Sequence, residues 1–290
     1  MTSFVRGPGT PKAAQERIVS ASLINLLGLP QQELEAFFEA LGQKPFRARQ
    51  MMNWIYRQAC DDLDEMTNIS LSLREELKTV AEIRVPEIAL SKTASDETRK
   101  WMLRMGEAQR IETVFIPETS RGTLCISSQV GCALDCSFCA TGRQGFNRNL
   151  STAEIVGQVW LANRELGYRP DMARVLPPVV LMGQGEPLAT YTTGVHAVRL
   201  RTDEFGSGLS RRRVTVSTSG IVPLIDKLGI DCNVALAVSL HAPEDDLRDE
   251  LVPINRKHPI AELLDACWRY ASEYYGRFIT FEYVMLEGVN

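Results

Sequence analysis

Three cysteines, Cys132, Cys136 and Cys139, stand in the string GCALDCSFCATG with the spacing C-x3-C-x2-C. Three thiolates in one tight loop can hold three irons of a 4Fe–4S cubane and leave the fourth iron without a protein ligand. A fully ligated cluster carries electrons or braces a fold, whereas an open iron is a position for chemistry. Such an iron can chelate the amino and carboxylate groups of S-adenosylmethionine, and electron transfer to the sulfonium then yields a 5′-deoxyadenosyl radical. The alternative for the same residues is a zinc knuckle completed by Cys125 or a histidine. Zinc ligands usually come as two C-x2-C pairs, and the chain has no second pair. Phe138, just before the third cysteine, is placed to shield the loop and to flank an adenine.

A cysteine loop of this kind needs a rigid frame around it, and from about residue 121 strands and helices alternate. TLCISSQ, VLPPVVLMG, RRRVTVSTSG, CNVALAVSLH and RFITFEYVML are expected strands. STAEIVGQVWLANREL is an expected helix, with Ser151 and Glu154 forming a capping box and Ile155, Val159 and Ala162 on one face. HPIAELLDACWRYASEYY is another, with Leu264, Cys267 and Trp268 expected inward. Strands joined by helices imply parallel βα units, hence an α/β fold built as a barrel or an open sheet. The fifth strand is followed only by the start of a loop before Asn290, so the architecture reads as unfinished.

Upstream, residues 1–20 read as a flexible tail. PQQELEAFFEALGQ carries Leu34, Phe37, Phe38 and Leu41 as one stripe, with Pro30 suited to the first turn and Gly42 to the stop. PFRARQMMNWIYRQA and SLSLREELKTVA, the latter with Leu73, Leu77 and Val80 on one face, complete a helical domain over about 21–90. KWMLRM and RIETVFIPE suggest a β-hairpin around Gly106, a connection over 91–120 to a core over 121–290.

Composition narrows the class. With 290 residues, 44% hydrophobic and 23% charged, the chain is globular rather than disordered. No stretch reaches the roughly 20 apolar residues of a membrane span, and the first residues lack a signal-peptide pattern, so a soluble cytoplasmic protein with no membrane partner is expected. A net charge of −4 does not advertise nucleic acid, yet phosphate is gripped by local patches, and Lys44/Arg47/Arg49 and Arg211/Arg212/Arg213 are candidates. Seven cysteines in such a chain do not suit a disulfide scaffold.

At LCISSQVGCALDCSFCATGRQGFNRNLSTAEIVGQVW the chain resembles the radical S-adenosylmethionine superfamily, and in particular its dual-specificity RNA methyltransferases of the RlmN type, with the Cfr resistance methyltransferases as close relatives. The likeness extends over KPFRARQMMNWIY, DEMTNIS, IETVFIPE, MGQGEPL, RVTVSTSG, AVSLHAP, LVPINRKHPI and FEYVML. It implies a partial (β/α)6 barrel, here without its sixth strand, behind an N-terminal RNA-binding accessory domain whose Lys44, Arg47 and Arg49 grip phosphates. It also implies a 4Fe–4S cluster on Cys132, Cys136 and Cys139, S-adenosylmethionine as cofactor, and 23S rRNA and tRNA as partners. An electron donor such as flavodoxin or ferredoxin and a monomeric state complete the expectation.

The same resemblance assigns further residues. Gly185 and Glu186, in the turn after a strand, take the cofactor amino group, although Gln184 stands where the branch commonly has methionine. Ser217, Ser239, Leu240 and His241, at strand C-termini, contact S-adenosylmethionine. Cys125 helps resolve a covalent RNA–enzyme intermediate through a disulfide to a second cysteine, and Glu112 is a proton acceptor. By position alone a buried Cys125, a strand-end histidine and an exposed Glu112 are ordinary structural residues. The implied reaction is methylation of carbon 2 of an adenine in 23S rRNA, and of the adenine beside the anticodon in tRNA, through a methyl-cysteine. That cysteine is expected beyond the sixth strand, past Asn290, so the chain reads as truncated. Carbon-8 methylation and a non-catalytic cluster- and RNA-binding remnant are the alternatives; a methylthiotransferase would carry further cluster cysteines.

Overall fold

Apolar side chains at helical spacing build the N-terminal part. Leu34, Phe37 and Phe38 form the buried stripe of α1 (Gln31–Ala40), against α2 (Phe46–Met52) with Ala48, Met51 and Met52 fully buried. α3 (Leu71–Val80) adds Leu73 and Leu77. Two short parallel strands, β1 (Ile24–Asn25) and β2 (Ala81–Glu82), tie the ends of this unit together. The computed structural model describes residues 23–119, 122–167, 177–276 and 278–290, so the expected tail lies outside the described residues.

Next comes an antiparallel meander of β3 (Glu87–Thr93), β4 (Arg99–Met105) and β5 (Gln109–Pro117), where only the last two were expected. β3 escapes a sequence pattern because an irregularity between Ile88 and Leu90 breaks its alternation. β5 pairs antiparallel with β6 (Gly122–Cys125). A separate ribbon, β7 (Gln129–Gly131) with β8 (Phe146–Asn149), follows. β6, β9 (Val179–Leu181), β10 (Val214–Thr218), β11 (Ala235–Ser239) and β12 (Thr280–Glu282) run parallel, as the five apolar runs implied. The sheet has eight strands in the order β12-β11-β10-β9-β6-β5-β4-β3.

Between the parallel strands lie α4 (Ala140–Arg143), α5 (Thr152–Glu165), α6 (Tyr191–Thr202), α7 (Val222–Asp231), α8 (Asp245–Leu251) and α9 (Ile260–Arg269). Side chains alternate along each strand. Leu124, Leu181, Val216, Leu236 and Val238 pack into one core with Ile155, Val159, Val198, Ile225 and Leu263 from the helices. The capping box at Ser151 and Glu154 is present. In α9 the inward stripe is Leu263, Ala266 and Cys267; Trp268 is 73% exposed, contrary to expectation, because it stands about 100° round the helix from Cys267. The N-terminal unit is docked by Trp160, whose indole N–H donates to the Ile55 carbonyl at 2.7 Å. No helix among the described residues is long and apolar enough to cross a membrane.

Candidate active site

Alternation leaves the second face of the sheet open, and strand register decides what lies on it. Val114 stands opposite Cys125, Cys125 beside Val180, Val180 beside Thr215, Ser217 beside Ala237, and Ser239 beside Glu282. With the two-residue repeat, Glu112, Cys125, Ser217, Ser239 and Glu282 therefore share one face. The last three sit at the C-terminal ends of parallel strands, the rim where α/β folds hold ligands.

The cysteine loop begins where β7 ends. Gly131 has φ +76°, and a Cβ there would fall 1.8 Å from the Gly145 carbonyl oxygen, so only glycine lets the two arms close. Cys132 N–H donates to that same carbonyl, and Cys139 N–H donates to the Cys136 carbonyl at 3.0 Å, folding the thiols into one turn. All three are free and half-buried. Burial raises the Cys136 thiol to about 12, with Cys132 and Cys139 adding to the shift. Burial also raises Cys132, helped by Glu186 and Cys139. Three thiolates this near one another repel unless a cation neutralises them. Among the described residues no three Cys, His, Asp or Glu side chains converge as ligands of one ion would. A cubane takes one thiolate for each of three irons, and three free thiols in one turn are the donor set it needs. Phe138 meets the His241 ring edge-on at 4.8 Å.

Gly185, with φ +98°, presses on Gln129: a Cβ would lie 2.5 Å from the Gln129 Cβ. Glu186 is buried, and its two oxygens accept from Leu188 N–H at 3.0 Å and Ser219 N–H at 2.8 Å. Burial pushes its carboxyl above the usual carboxylate range despite those donors. The residue expected to meet a cofactor ammonium thus also ties two loops together. Beside it the Gln184 side-chain oxygen is buried with no donor, an acceptor that a bound ammonium would satisfy.

Ser239 Oγ–H donates to Glu282 Oε2 at 2.8 Å and Ser217 Oγ–H to the same oxygen at 3.4 Å. Leu240 N–H donates to the Glu282 carbonyl at 3.0 Å. His241 has φ +62°, and its Nδ1 accepts from Val284 N–H at 3.1 Å. Burial lowers the imidazole pKa, so the ring is neutral with its proton on Nε2. Cys125 is half-buried, and burial raises its thiol to about 11, opposed by a hydrogen bond from the Met182 backbone. Glu112 Oε1 lies 2.6 Å from Lys100 Nζ. The Arg47 guanidinium bonds Gln50 and lies over the Phe46 ring, while Arg49 lies over Phe205. His196 and His258 stand within ion-pair reach of Glu33 and Glu262 instead.

Sequence reasoning missed three residues. Glu282 was detectable, since it ends a strand on the same rim as Ser217 and Ser239. Arg248 is fully buried and Gln129 nearly so, and nothing local marks either.

Residues 24–83 match the family model of the ribosomal RNA large subunit methyltransferase N-terminal domain, and residues 126–290 that of the radical SAM superfamily. A dual-specificity RNA methyltransferase RlmN from Marinobacter nauticus is 54% identical over 272 residues, covering 93% of this chain and 74% of that protein. The crystal structure of a radical SAM methyltransferase from Sphaerobacter thermophilus matches with a TM-score of 0.84 and 45% identity, over 92% of this chain and 78% of that one. The three-cysteine loop, the α/β sheet and these matches have one explanation: the chain belongs to the radical SAM superfamily and, within it, to the RlmN family of dual-specificity RNA methyltransferases.

Proposed function

We propose that the protein methylates carbon 2 of an adenine in 23S rRNA and of the adenine beside the anticodon in tRNA, by way of a methyl-cysteine. The observation that carries this is the gathering of the cysteine loop, Gly185–Glu186, Ser217, Ser239, His241, Cys125 and Glu112 around one open sheet face. When bound, a 4Fe–4S cluster and S-adenosylmethionine would supply a radical able to take hydrogen from the methyl group of a methylated cysteine, a route to a carbon that polar methyl transfer cannot reach. Cys132, Cys136 and Cys139 would hold the cluster, leaving one iron for the cofactor.

The chain's own residues divide the remaining work. Gly185 lets the cofactor's amino end approach the backbone, with Glu186 and Gln184 as acceptors. Ser217, Ser239, Leu240 and His241 line its other side, His241 as a donor through Nε2–H. Glu112 is the proton acceptor at the base, held by Lys100. Cys125, protonated at neutral pH, is the thiol that resolves the RNA adduct. Cys60, Cys232 and Cys267 are packed in the hydrophobic core, so none of them is assigned the methyl-carrying part. RNA suits this chemistry because a looped base can be splayed into a pocket.

On this reading residues 21–90 form an RNA-binding accessory domain, 91–120 the connection and 121–290 the core, curved as a partial barrel. The protein is cytoplasmic and monomeric, and takes electrons from a donor such as flavodoxin or ferredoxin. The test is anaerobic reconstitution, with iron and sulfide, of a protein that carries these residues together with the methyl-bearing cysteine, then incubation with S-adenosylmethionine, reductant and RNA, and mass mapping of the modified adenine. A methyl group on carbon 2 supports the proposal. Methylation at carbon 8, or RNA retention without 5′-deoxyadenosine, overturns it in favour of one of the two alternatives.

A further inference from the structure

The open face does not stop at Cys125; through β5 it continues onto the meander. Residues directly opposite each other on antiparallel strands point to the same side. Leu90 faces Met102, Met102 faces Glu112, Lys92 faces Lys100 and Arg104 faces Arg110. Arg110, Glu112 and Val114 alternate along β5, and Val114 faces Cys125, so all these side chains share the face of the candidate site.

Two of those cross-strand pairs are like-charged. Lys opposite Lys and Arg opposite Arg destabilise a sheet, and neither pair helps the fold, since all four side chains are solvent-accessible. The carboxylates on this surface are too few to neutralise them. Glu112 takes Lys100 at 2.6 Å and Glu87 takes Arg104 at 3.6 Å. Lys92 and Arg110 have no carboxylate partner among the described residues. Between the cationic pairs lie Leu90, 45% exposed, and the half-buried Met102. Lys100 and Arg104 are four residues apart on β4, about 13 Å, so the two pairs meet separate anionic groups rather than one.

Resting on the RNA methyltransferase reading, we infer that the open face of β3–β4–β5 is a docking strip for the RNA backbone. Arg104 and Arg110 contact neighbouring phosphates and Lys92, at the other end of the strip, one further along the backbone; Leu90 and Met102 lie under a sugar or base, and Lys100 leads to Glu112. A polyanion with repeating charge relieves both like-charged pairs at once, which one small anion does not. The strip gives the substrate a path along the sheet to Glu112 and Cys125, and it supplies the phosphate contacts that a chain of net charge −4 lacks on average.

The test measures binding of the reconstituted protein to a tRNA transcript over a range of salt concentrations. It compares wild type with a Lys92→Gln/Arg104→Gln/Arg110→Gln variant. Exposed substitutions of this kind should leave the urea unfolding midpoint unchanged, which is checked alongside binding. Each lost phosphate contact should flatten the plot of log K against log salt by about 0.7, hence about 2 for three. Affinity should fall about equally for transcripts of different sequence, while S-adenosylmethionine binding is unchanged. Lys92→Arg/Arg110→Lys, which keeps the charge, should keep the slope. If wild type binds RNA and the triple variant shows the same slope, the strip is refuted while the RNA reading stands. Wild-type protein that binds no RNA at any salt refutes both.

Discussion

Arg248 is the buried cation on which the rim of the site hangs, and replacing it measures that role. Its Nε donates to the Leu240 carbonyl at 3.0 Å and its Nη1 to Asn255 Oδ1 at 2.8 Å. Nη2 donates to the Ser219 carbonyl at 2.7 Å and the Ser239 carbonyl at 3.1 Å. Three of these acceptors lie at or just after the ends of β10 and β11, and two of them, Ser239 and Leu240, are among the residues proposed for the cofactor. Arg248→Met keeps most of the stem's packing and removes all four bonds. Bonds to a charged donor contribute roughly 1.5 kcal/mol each at the lower end, so about 6 kcal/mol of favourable interaction disappears. Relief from burying the guanidinium returns several kcal/mol, leaving a net loss of about 3 kcal/mol. At a urea dependence of about 3 kcal/mol per molar, the unfolding midpoint should fall by about 1 M. Arg248→Lys keeps a charge but not the planar fork, and should recover less than half of the loss. An Arg248→Met midpoint within about 0.2 M of wild type would mean that water satisfies these carbonyls, and the bracing role would be wrong.

Other substitutions probe the site in different ways. Cys132→Ser should abolish the brown chromophore of the reconstituted protein; unchanged bound iron would contradict the cluster assignment. Gly131→Ala puts a methyl group against the Gly145 carbonyl at a left-handed φ, and should cost at least about 2 kcal/mol and most of the bound iron, read by urea unfolding and iron analysis. Glu186 has its carboxyl raised above the ordinary 4.5, so the stability linked to it is full below that value and lost as pH rises through the folded-state value. The stability of wild type relative to Glu186→Gln should therefore decline from about pH 4.5 upward, and urea midpoints that diverge in the opposite sense would contradict it. Trp160→Phe strands the buried Ile55 carbonyl and should destabilise by about 2 kcal/mol, with proteolysis speeding at residues 53–60.

What the sequence revealed followed from how local each signal is. The cysteine loop declares itself by spacing, α5 by its Ser151–Glu154 cap, and the parallel strands by short apolar runs between turn residues. Glu282 is 65 residues from Ser217 and 43 from Ser239, so its shared bond with both exists only once the strands align. Arg248 lies in the charged string EDDLRDEL, which reads as a solvated helix face until Asn255 and three carbonyls close over it. Trp268 went wrong for the opposite reason: a large aromatic was assigned inward by its type, while the helical phase of its neighbours turned it out. The like-charged pairs of the meander depend on register, and for Lys92–Lys100 the irregularity in β3 hides that register from any periodicity count.

Gln129 links parts of the site that are far apart in sequence. Its backbone N–H donates to the Gln184 carbonyl at 3.1 Å, its side-chain oxygen accepts from Glu186 N–H at 3.0 Å, and its side-chain nitrogen donates to Asn149 Oδ1 at 2.8 Å. The base of the cysteine loop and the turn proposed to meet the cofactor's amino group are thereby joined at two points, and the third bond ties Gln129 to β8. Opening either one breaks bonds in the other, so the two segments fluctuate as a single cooperative unit. In native-state hydrogen exchange the amides of Ser128, Gln129 and Glu186 should share one opening free energy, and cofactor binding at the turn should slow exchange at the loop as well.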